Sequence, residues 1–216
     1  MSHLTRQEIP KKWPVERKGT AYIVKPNFSV KEGLPLLIIL REMTKLAQNR
    51  REAKRIIHAK QILVNEKVAK DEKNNVVLFD TLNILPLKKC YRMELAETGK
   101  FYLNEIKESE SSKKIAKVIN KKMIKGKKLQ LNLSDGRNFL SDIKCNTNDS
   151  VLINLKDGKI EKCLPLKEKV NAVIFSGKHV GKRGEIIELN AERKMAKIKS
   201  GENELNVLIN QLMVVE

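Results

Sequence analysis

An α+β, multi-domain chain is the fold class this sequence predicts, and three features of its patterning predict it. Apolar residues recur at helical spacing between Pro35 and Lys60. Short apolar or alternating runs take over from Ile62 onward, and five strand-like runs follow one another beyond Pro165. At roughly 100–200 residues per domain, 216 residues with 41% hydrophobic content leave room for one large core or several small ones. The changes of pattern favour several: an extension over 1–33, a helix-helix-strand module over 34–88, a β-rich middle domain over 89–167 and a small C-terminal β-barrel over 168–216.

The extension carries Arg6, Lys11, Lys12, Arg17, Lys18, Lys25 and Lys31 against Glu8, Glu16 and Glu32, and Pro10, Pro14 and Pro26 interrupt any helical period. Its Trp13, the only tryptophan, argues against a disordered tail and packs either on the first domain or on a partner. Pro35 suits a first helical position, and Leu36, Ile39, Leu40, Met43, Leu46 and Ala47 follow at spacings of three and four. Asn49 can cap a second helix over about 50–60, which gives way to the strand Ile62-Leu63-Val64 and a turn at Asn65-Glu66. Lys73 to Ile84, Tyr91 to Leu95 and Lys100 to Leu103 read as further strands. Glu108 to Ser112 reads as a mobile loop, and Ile115, Val118, Ile119 and Met123 give the lysine-rich run that follows a helical apolar face. Leu129 to Leu133, Val151 to Leu155 and Ile160 to Leu164 are strands, the last two joined by a turn at Asp157-Gly158. The five C-terminal strands are Val170 to Phe175, Glu185 to Leu189, Ala196 to Lys199, Glu204 to Leu208 and Leu212 to Val215, enough to close a small barrel.

Charge sets the class of partner. With 44 basic and 26 acidic residues, the net charge is +18, and nucleic acid is the first polyanion to consider because every neutralised phosphate releases counterions. A membrane is the weaker reading, since the longest apolar run, Leu34 to Leu40, is far below the roughly 20 residues that span a bilayer. No secretory leader opens the sequence. Cys90, Cys145 and Cys163 are odd in number and far apart, which suggests neither a disulfide framework nor a zinc site and implies a reducing, cytoplasmic setting. At 4% aromatic content, base stacking should be minor beside shape and phosphate recognition.

Two constellations carry the functional argument. At about 100° per residue, Arg51, Lys54, Arg55 and His58 share one stripe while Ala53, Ile56 and Ile57 face the other way. Stacked like charges repel unless a partner neutralises them. The run Asn49 to Asn65 resembles the helix-helix-strand RNA-binding module of many ribosomal proteins and RNA-modifying enzymes, which implies RNA-contacting roles for Arg50, Arg51, Lys54, Arg55, His58 and Lys60. Lys60 and Glu66 stand where that module usually has glycine. The second constellation, Gly177 to Ile187, holds Gly177, Gly181 and Gly184, with Lys178, Lys182 and Arg183 among them offered to phosphate. A phosphate-binding loop would need Gly-Lys-Ser/Thr before a helix, whereas strand residues follow here. The pattern is similar to the KOW motif, found on SH3-like barrels.

Taken in order, the two motifs resemble the S4e family of archaeal and eukaryotic small-subunit ribosomal proteins over nearly the whole chain. Its further anchors are His3-Leu4, Pro10-Lys11-Lys12-Trp13, Leu34-Pro35-Leu36, Phe79-Asp80, Asn83-Ile84, Asn148-Asp149-Ser150 and Asp157-Gly158-Lys159-Ile160. Membership implies a structural constituent of the small subunit that binds folded ribosomal RNA beside neighbouring ribosomal proteins. It implies no catalytic residue, cofactor, metal or small-molecule substrate. The RNA surface would then include the extension residues Arg6, Lys11, Lys12, Trp13, Arg17 and Lys18 as well as both motifs. An RNA-modifying enzyme built on the same module is the alternative from another class, but His3, His58 and His179 lack evident catalytic partners in the sequence and no Gly-x-Gly-x-x-Gly follows a strand. A free RNA chaperone would use the same surfaces. For the lysines of 113–128, a solvated helix face and an RNA contact remain equal readings.

Overall fold

The computed structural model describes residues 3–124, 128–141, 143–190, 192–201 and 203–215. The chain is mostly β with few helices, and it divides into two compact units: the stretch up to Glu94 together with Lys100–Ser112, and Leu95–Gly99 together with the chain from Lys113 onward.

In the first unit the extension is folded. Strand β1 (His3–Thr5) pairs antiparallel with β2 (Tyr22–Val24), and Ile23 and Trp13 are buried. Strand β3 (Gly33–Pro35) then pairs with a later strand. Pro35 therefore ends β3 with ψ 141°, one residue before the helix rather than in its first turn. The expected first helix is a single α turn, α1 (Leu36–Ile38), that widens into a π turn over Ile39–Met43. The wide turn closes on the Thr44 amide and hydroxyl, which donate to the Ile39 carbonyl at 2.9 and 3.3 Å. Lys45, at φ 54°, stops it. All five residues Leu36–Leu40 are buried, so a contiguous apolar block on a short turn replaces the amphipathic helix.

Helix α2 (Arg50–His58) follows, then β4 (Ile62–Val64) and β5 (Lys67–Val68). The Asn65-Glu66 turn between these strands has φ 52° and 62°, the double left-handed geometry that matches strand twist in a two-residue hairpin. Strand β6 (Asn75–Val77) is the partner of β3. Strands β7 (Thr81–Ile84), β8 (Lys89–Leu95) and β9 (Phe101–Ile106) complete a five-stranded sheet in the order β5-β4-β7-β8-β9. The tight connection Leu85–Leu87 returns β8 antiparallel along β7, so β8 and β9 continue the same sheet. Glu108–Ser111, expected as a mobile loop, is the short helix α3; the Ser111 hydroxyl is buried, 2.8 Å from the Glu108 carbonyl and 3.2 Å from Glu66 Oε1.

The second unit has two antiparallel sheets, each over its own core. Strands β10 (Lys113–Ile124), β11 (Lys128–Leu133), β12 (Asn138–Leu140), β13 (Ser150–Asn154) and β14 (Lys159–Leu164) form one, ordered β12-β11-β10-β13-β14. The helical face expected in 113–124 is thus one long strand. Ile115, Val118, Ile119 and Ile124 are β-branched, and Lys114, Ala116 and Val118 alternate onto the buried side. Its core contains Ala116, Val118, Leu131, Val151 and Ile153. Strands β15 (Asn171–Ile174), β16 (Arg183–Asn190), β17 (Met195–Ser200), β18 (Asn203–Leu208) and β19 (Leu212–Val214) form the other, over Ile174, Ile186, Ile198 and Leu212. Its order is β18-β17-β16-β15-β19. Among the described residues no ladder joins β18 to β19; a 3-10 turn at Ile209–Gln211 connects these edges, so the sheet is open where a closed barrel was expected.

Candidate nucleic-acid interface

The basic helix owes its position to its caps. Asn49 Oδ1 accepts from the Glu52 amide at 3.0 Å, and Glu52 in turn accepts from Asn49 Nδ2 at 2.7 Å and from the Gln48 amide at 2.8 Å. At the other end the Lys60 amide reaches the Ile57 carbonyl and the Gln61 amide the Ile56 carbonyl, with Lys60 at φ 56°. This is the Schellman closure that ordinarily uses glycine. Ala53 and Ile57 are buried, so Arg51, Lys54, Arg55 and His58 stand exposed as the sequence spacing requires, and Lys60 is exposed just beyond the helix.

The cations of α2 are not equivalent. Arg50 turns to the buried Glu72, its Nε lying 2.8 and 3.0 Å from the two carboxylate oxygens and its Nη2 donating to Oε1 as well. That hydrogen bonding raises the Arg50 pKa above its ordinary value against the opposing effect of burial. Lys54 Nζ lies 3.9 Å from the same carboxylate. No carboxylate among the described residues pairs with Arg51, Arg55, His58 or Lys60.

The Gly-rich loop joins β15 to β16 within the second unit. Ile174 pins both of its arms, donating to the Lys182 carbonyl at 3.0 Å and accepting from the Gly181 amide at 2.8 Å. Gly181, at φ 90°, lies so close to the Ala96 carbonyl that a Cβ there would collide with it, and a Cβ at Gly184 would meet the Lys199 carbonyl. Gly177 has φ 92°. Lys178 and Arg183 are exposed, and His179 and Lys182 half-buried.

Two extension residues expected in the RNA surface are engaged within the chain. Trp13 is 2% exposed and packs in the first unit, which decides between its two readings. The Arg6 guanidinium holds the chain at 16–20, donating to the Glu16 carbonyl, to the Thr20 carbonyl at 2.6 Å and to the Thr20 hydroxyl at 2.9 Å. Lys12 is half-buried, and burial lowers its pKa more than nearby Glu32 raises it. Lys11, Arg17 and Lys18 are exposed.

The lysine-rich strand divides three ways. Lys114 is buried with Asp135, 2.6 Å away. Burial disfavours that carboxylate, but Lys114, with help from Arg137, holds its pKa below the usual value. Lys117 is buried without a carboxylate partner among the described residues. Its ammonium donates to the Ile209 and Leu212 carbonyls at 2.6 and 2.8 Å and lies 5.7 Å from the Phe175 ring centre, while burial lowers its pKa to about 8. Lys113 pairs with Glu161 at 3.5 Å, and Lys121 and Lys122 are exposed. Lys125, Lys127 and the side chain of Lys128 lie outside the described residues.

Sequence reasoning also missed a contact between Cys145 and Cys163, whose separation in the chain hides it. The Cys163 thiol is pushed up, first by burial, then by Cys145 and Asp149. Among the described residues no three His, Cys, Asp or Glu side chains gather to hold a metal ion.

Known proteins match this arrangement at the level of sequence and of fold. The family described as "Ribosomal family S4e" matches residues 87–160. "Small ribosomal subunit protein eS4" of Methanocella arvoryzae is 34% identical over 198 residues, covering 90% of this chain and 84% of its own. Its namesake from Nanoarchaeum equitans is 38% identical over 191 residues, covering 87% and 82%. The crystal structure of the 30S ribosomal protein S4e from Thermoplasma acidophilum superposes with a TM-score of 0.74 at 26% identity, over 86% of this chain and 95% of that one. A basic, modular, β-rich chain with these likenesses is of the ribosomal-protein class. It belongs to the ribosomal family S4e.

Proposed function

We propose that this protein is a structural constituent of the small ribosomal subunit that binds and steadies folded ribosomal RNA in the cytoplasm, without catalysis or cofactor. The observation that carries this reading is the stripe of Arg51, Arg55 and His58, exposed on a helix capped at both ends, with Lys60 exposed just beyond it, all left without carboxylate partners among the described residues. Lys54 lies on the same helix and is shared with Glu72. The division into a module at 34–88, a middle domain at 89–167 and an SH3-like, KOW-bearing element at 168–216 is part of this proposal. In it, Lys178, Lys182 and Arg183 form a second phosphate-gripping surface, and Lys11, Arg17 and Lys18 a third. Arg6 and Trp13 shape these surfaces rather than cover them, while Arg50, oriented by Glu72, keeps a largely exposed side chain beside the first.

Phosphate contacts fix position on A-form and irregular RNA, whose deep groove side chains read poorly. Neighbouring small-subunit proteins are the further partners. The RNA-modifying alternative draws no support from relatives named as ribosomal proteins, and a free chaperone would share the surfaces but not the residence. Arg51→Glu with Arg55→Glu tests the carrying observation. Ribosomal RNA binding weakens, and the slope of log affinity against log salt flattens by roughly 0.7–0.9 for each phosphate that the helix no longer neutralises. An unchanged slope removes α2 from the interface, and wash-off of the wild-type chain from purified small subunits at moderate salt favours the chaperone.

A further inference from the structure

We infer that the first unit holds a pocket for one unstacked nucleotide, built where the folded extension meets the first helical turn. A cavity of about 270 Å³ lies there, lined among others by His3, Thr20, Tyr22, Leu37, Arg41 and Arg50. That volume, just below the roughly 300–1,000 Å³ range of ligand pockets, limits the occupant to a single base with its phosphate.

The lining has the parts that a nucleotide requires. Tyr22 is 60% exposed although it sits in a strand, and His3 meets it edge-on with ring centres 4.6 Å apart, fixing the ring as a stacking platform. Leu37 supplies an apolar wall. Two guanidiniums, each oriented by a carboxylate, supply planar donors for a phosphate or a base edge.

Each polar part is already held. Glu72 orients Arg50 through both carboxylate oxygens, Glu42 Oε1 accepts from Arg41 Nε at 2.8 Å, and Arg6 fixes Thr20 by its carbonyl and its hydroxyl. Such groups lose little freedom when a ligand arrives. Arg50 begins α2, so a strand lying along the exposed stripe of that helix has the pocket beside its path. The inference deepens the RNA-binding reading and rests on it, adding a nucleotide-capturing site to a surface otherwise limited to phosphate contacts.

Two RNA duplexes, one fully paired and one with a single bulged 2-aminopurine, test this with the full-length chain. Wild type binds the bulged RNA more tightly and changes the 2-aminopurine fluorescence on binding. Tyr22→Ala lowers affinity for the bulged RNA by about fivefold to 150-fold, equivalent to the roughly 1–3 kcal/mol of one stacked base. It leaves the paired duplex unaffected, and Tyr22→Phe behaves as wild type. Matching melting curves show that the variants fold. Equal binding of both duplexes by wild type with no fluorescence change, or a Tyr22→Ala chain indistinguishable from wild type, overturns the pocket while leaving α2 as an RNA surface. Failure to bind either duplex overturns both readings. Adenosine 5′-monophosphate separates two sources of the nucleotide: shifts of the Tyr22 and His3 ring resonances extend the pocket to free nucleotides, and their absence beside a retained bulge response confines it to an RNA strand.

Discussion

Single residues show where this chain departs from the simplest solution for its backbone. Lys60 and Glu66 adopt left-handed φ values of 56° and 62°, at the two positions where the resembling RNA-binding module usually has glycine. A side chain in that conformation costs on the order of 1 kcal/mol, partly offset because glycine loosens the unfolded chain. Lys60→Gly is therefore expected to stabilise the protein by up to about 1 kcal/mol in chemical denaturation while weakening RNA binding through removal of one exposed cation. A fall in stability would show that Lys60 has packing value beyond its charge. Glu66 is different, because its carboxylate accepts from Asn83 at 3.0 Å and Ser111 at 3.2 Å, hydrogen bonds that glycine would forfeit. Lys117 gives the pH prediction. Its pKa of about 8 in the fold, against the ordinary 10.5, means that between these values the unfolded chain binds more protons. Unfolding free energy from this group should accordingly rise as pH increases from about 8 to 10.5. Lys117→Met removes that rise, which chemical denaturation of wild type and variant at pH 7.5 and pH 10 reads directly. An identical pH profile in the variant would exonerate Lys117.

Among the elements, local pattern succeeded where one periodicity had no rival. The Asn49 cap, the α2 stripe, the Asn65-Glu66 hairpin and the five C-terminal strands all follow from short-range preferences, and each stands near its expected bounds. The run at 113–124 was ambiguous, because Ile115, Val118, Ile119 and Met123 fit a helical face while Lys114, Ala116 and Val118 fit a strand. The strand prevailed because Asp135 neutralises Lys114 and the carbonyls of Ile209 and Leu212 receive Lys117, partners that no local reading contains. The Gly-rich loop is legible for a firmer reason, since its glycines are needed for backbone approach. Gly181→Val sets a side chain against the Ala96 carbonyl and should distort the loop and disturb amide resonances of 174–184. The α2 amides should be unmoved, and collapse of both sets together would contradict independent folding of the first module.

Taken as a whole, a molecule with a net charge of +18 feels salt in two directions. Screening relieves self-repulsion, so the thermal midpoint of the free protein should rise from low to moderate ionic strength, while RNA affinity falls steeply over the same range. If both moved together, diffuse charge would not be the common cause. Composition and short-range pattern were enough to establish the basic character, the order of the motifs, the membership those motifs announced, and the helix face that stays cationic. All of these depend on residue counts or on residues a few positions apart, where helical and strand periods act directly. How each cation is held emerged only from long-range packing: Glu72 orients Arg50, Asp135 takes Lys114, and two carbonyls take Lys117. The same packing folded Trp13 inward and set Tyr22 beside Arg41 and Arg50. A charge is neutralised or left free according to what the fold brings within a few ångströms, and those neighbours lie tens of residues away along the chain.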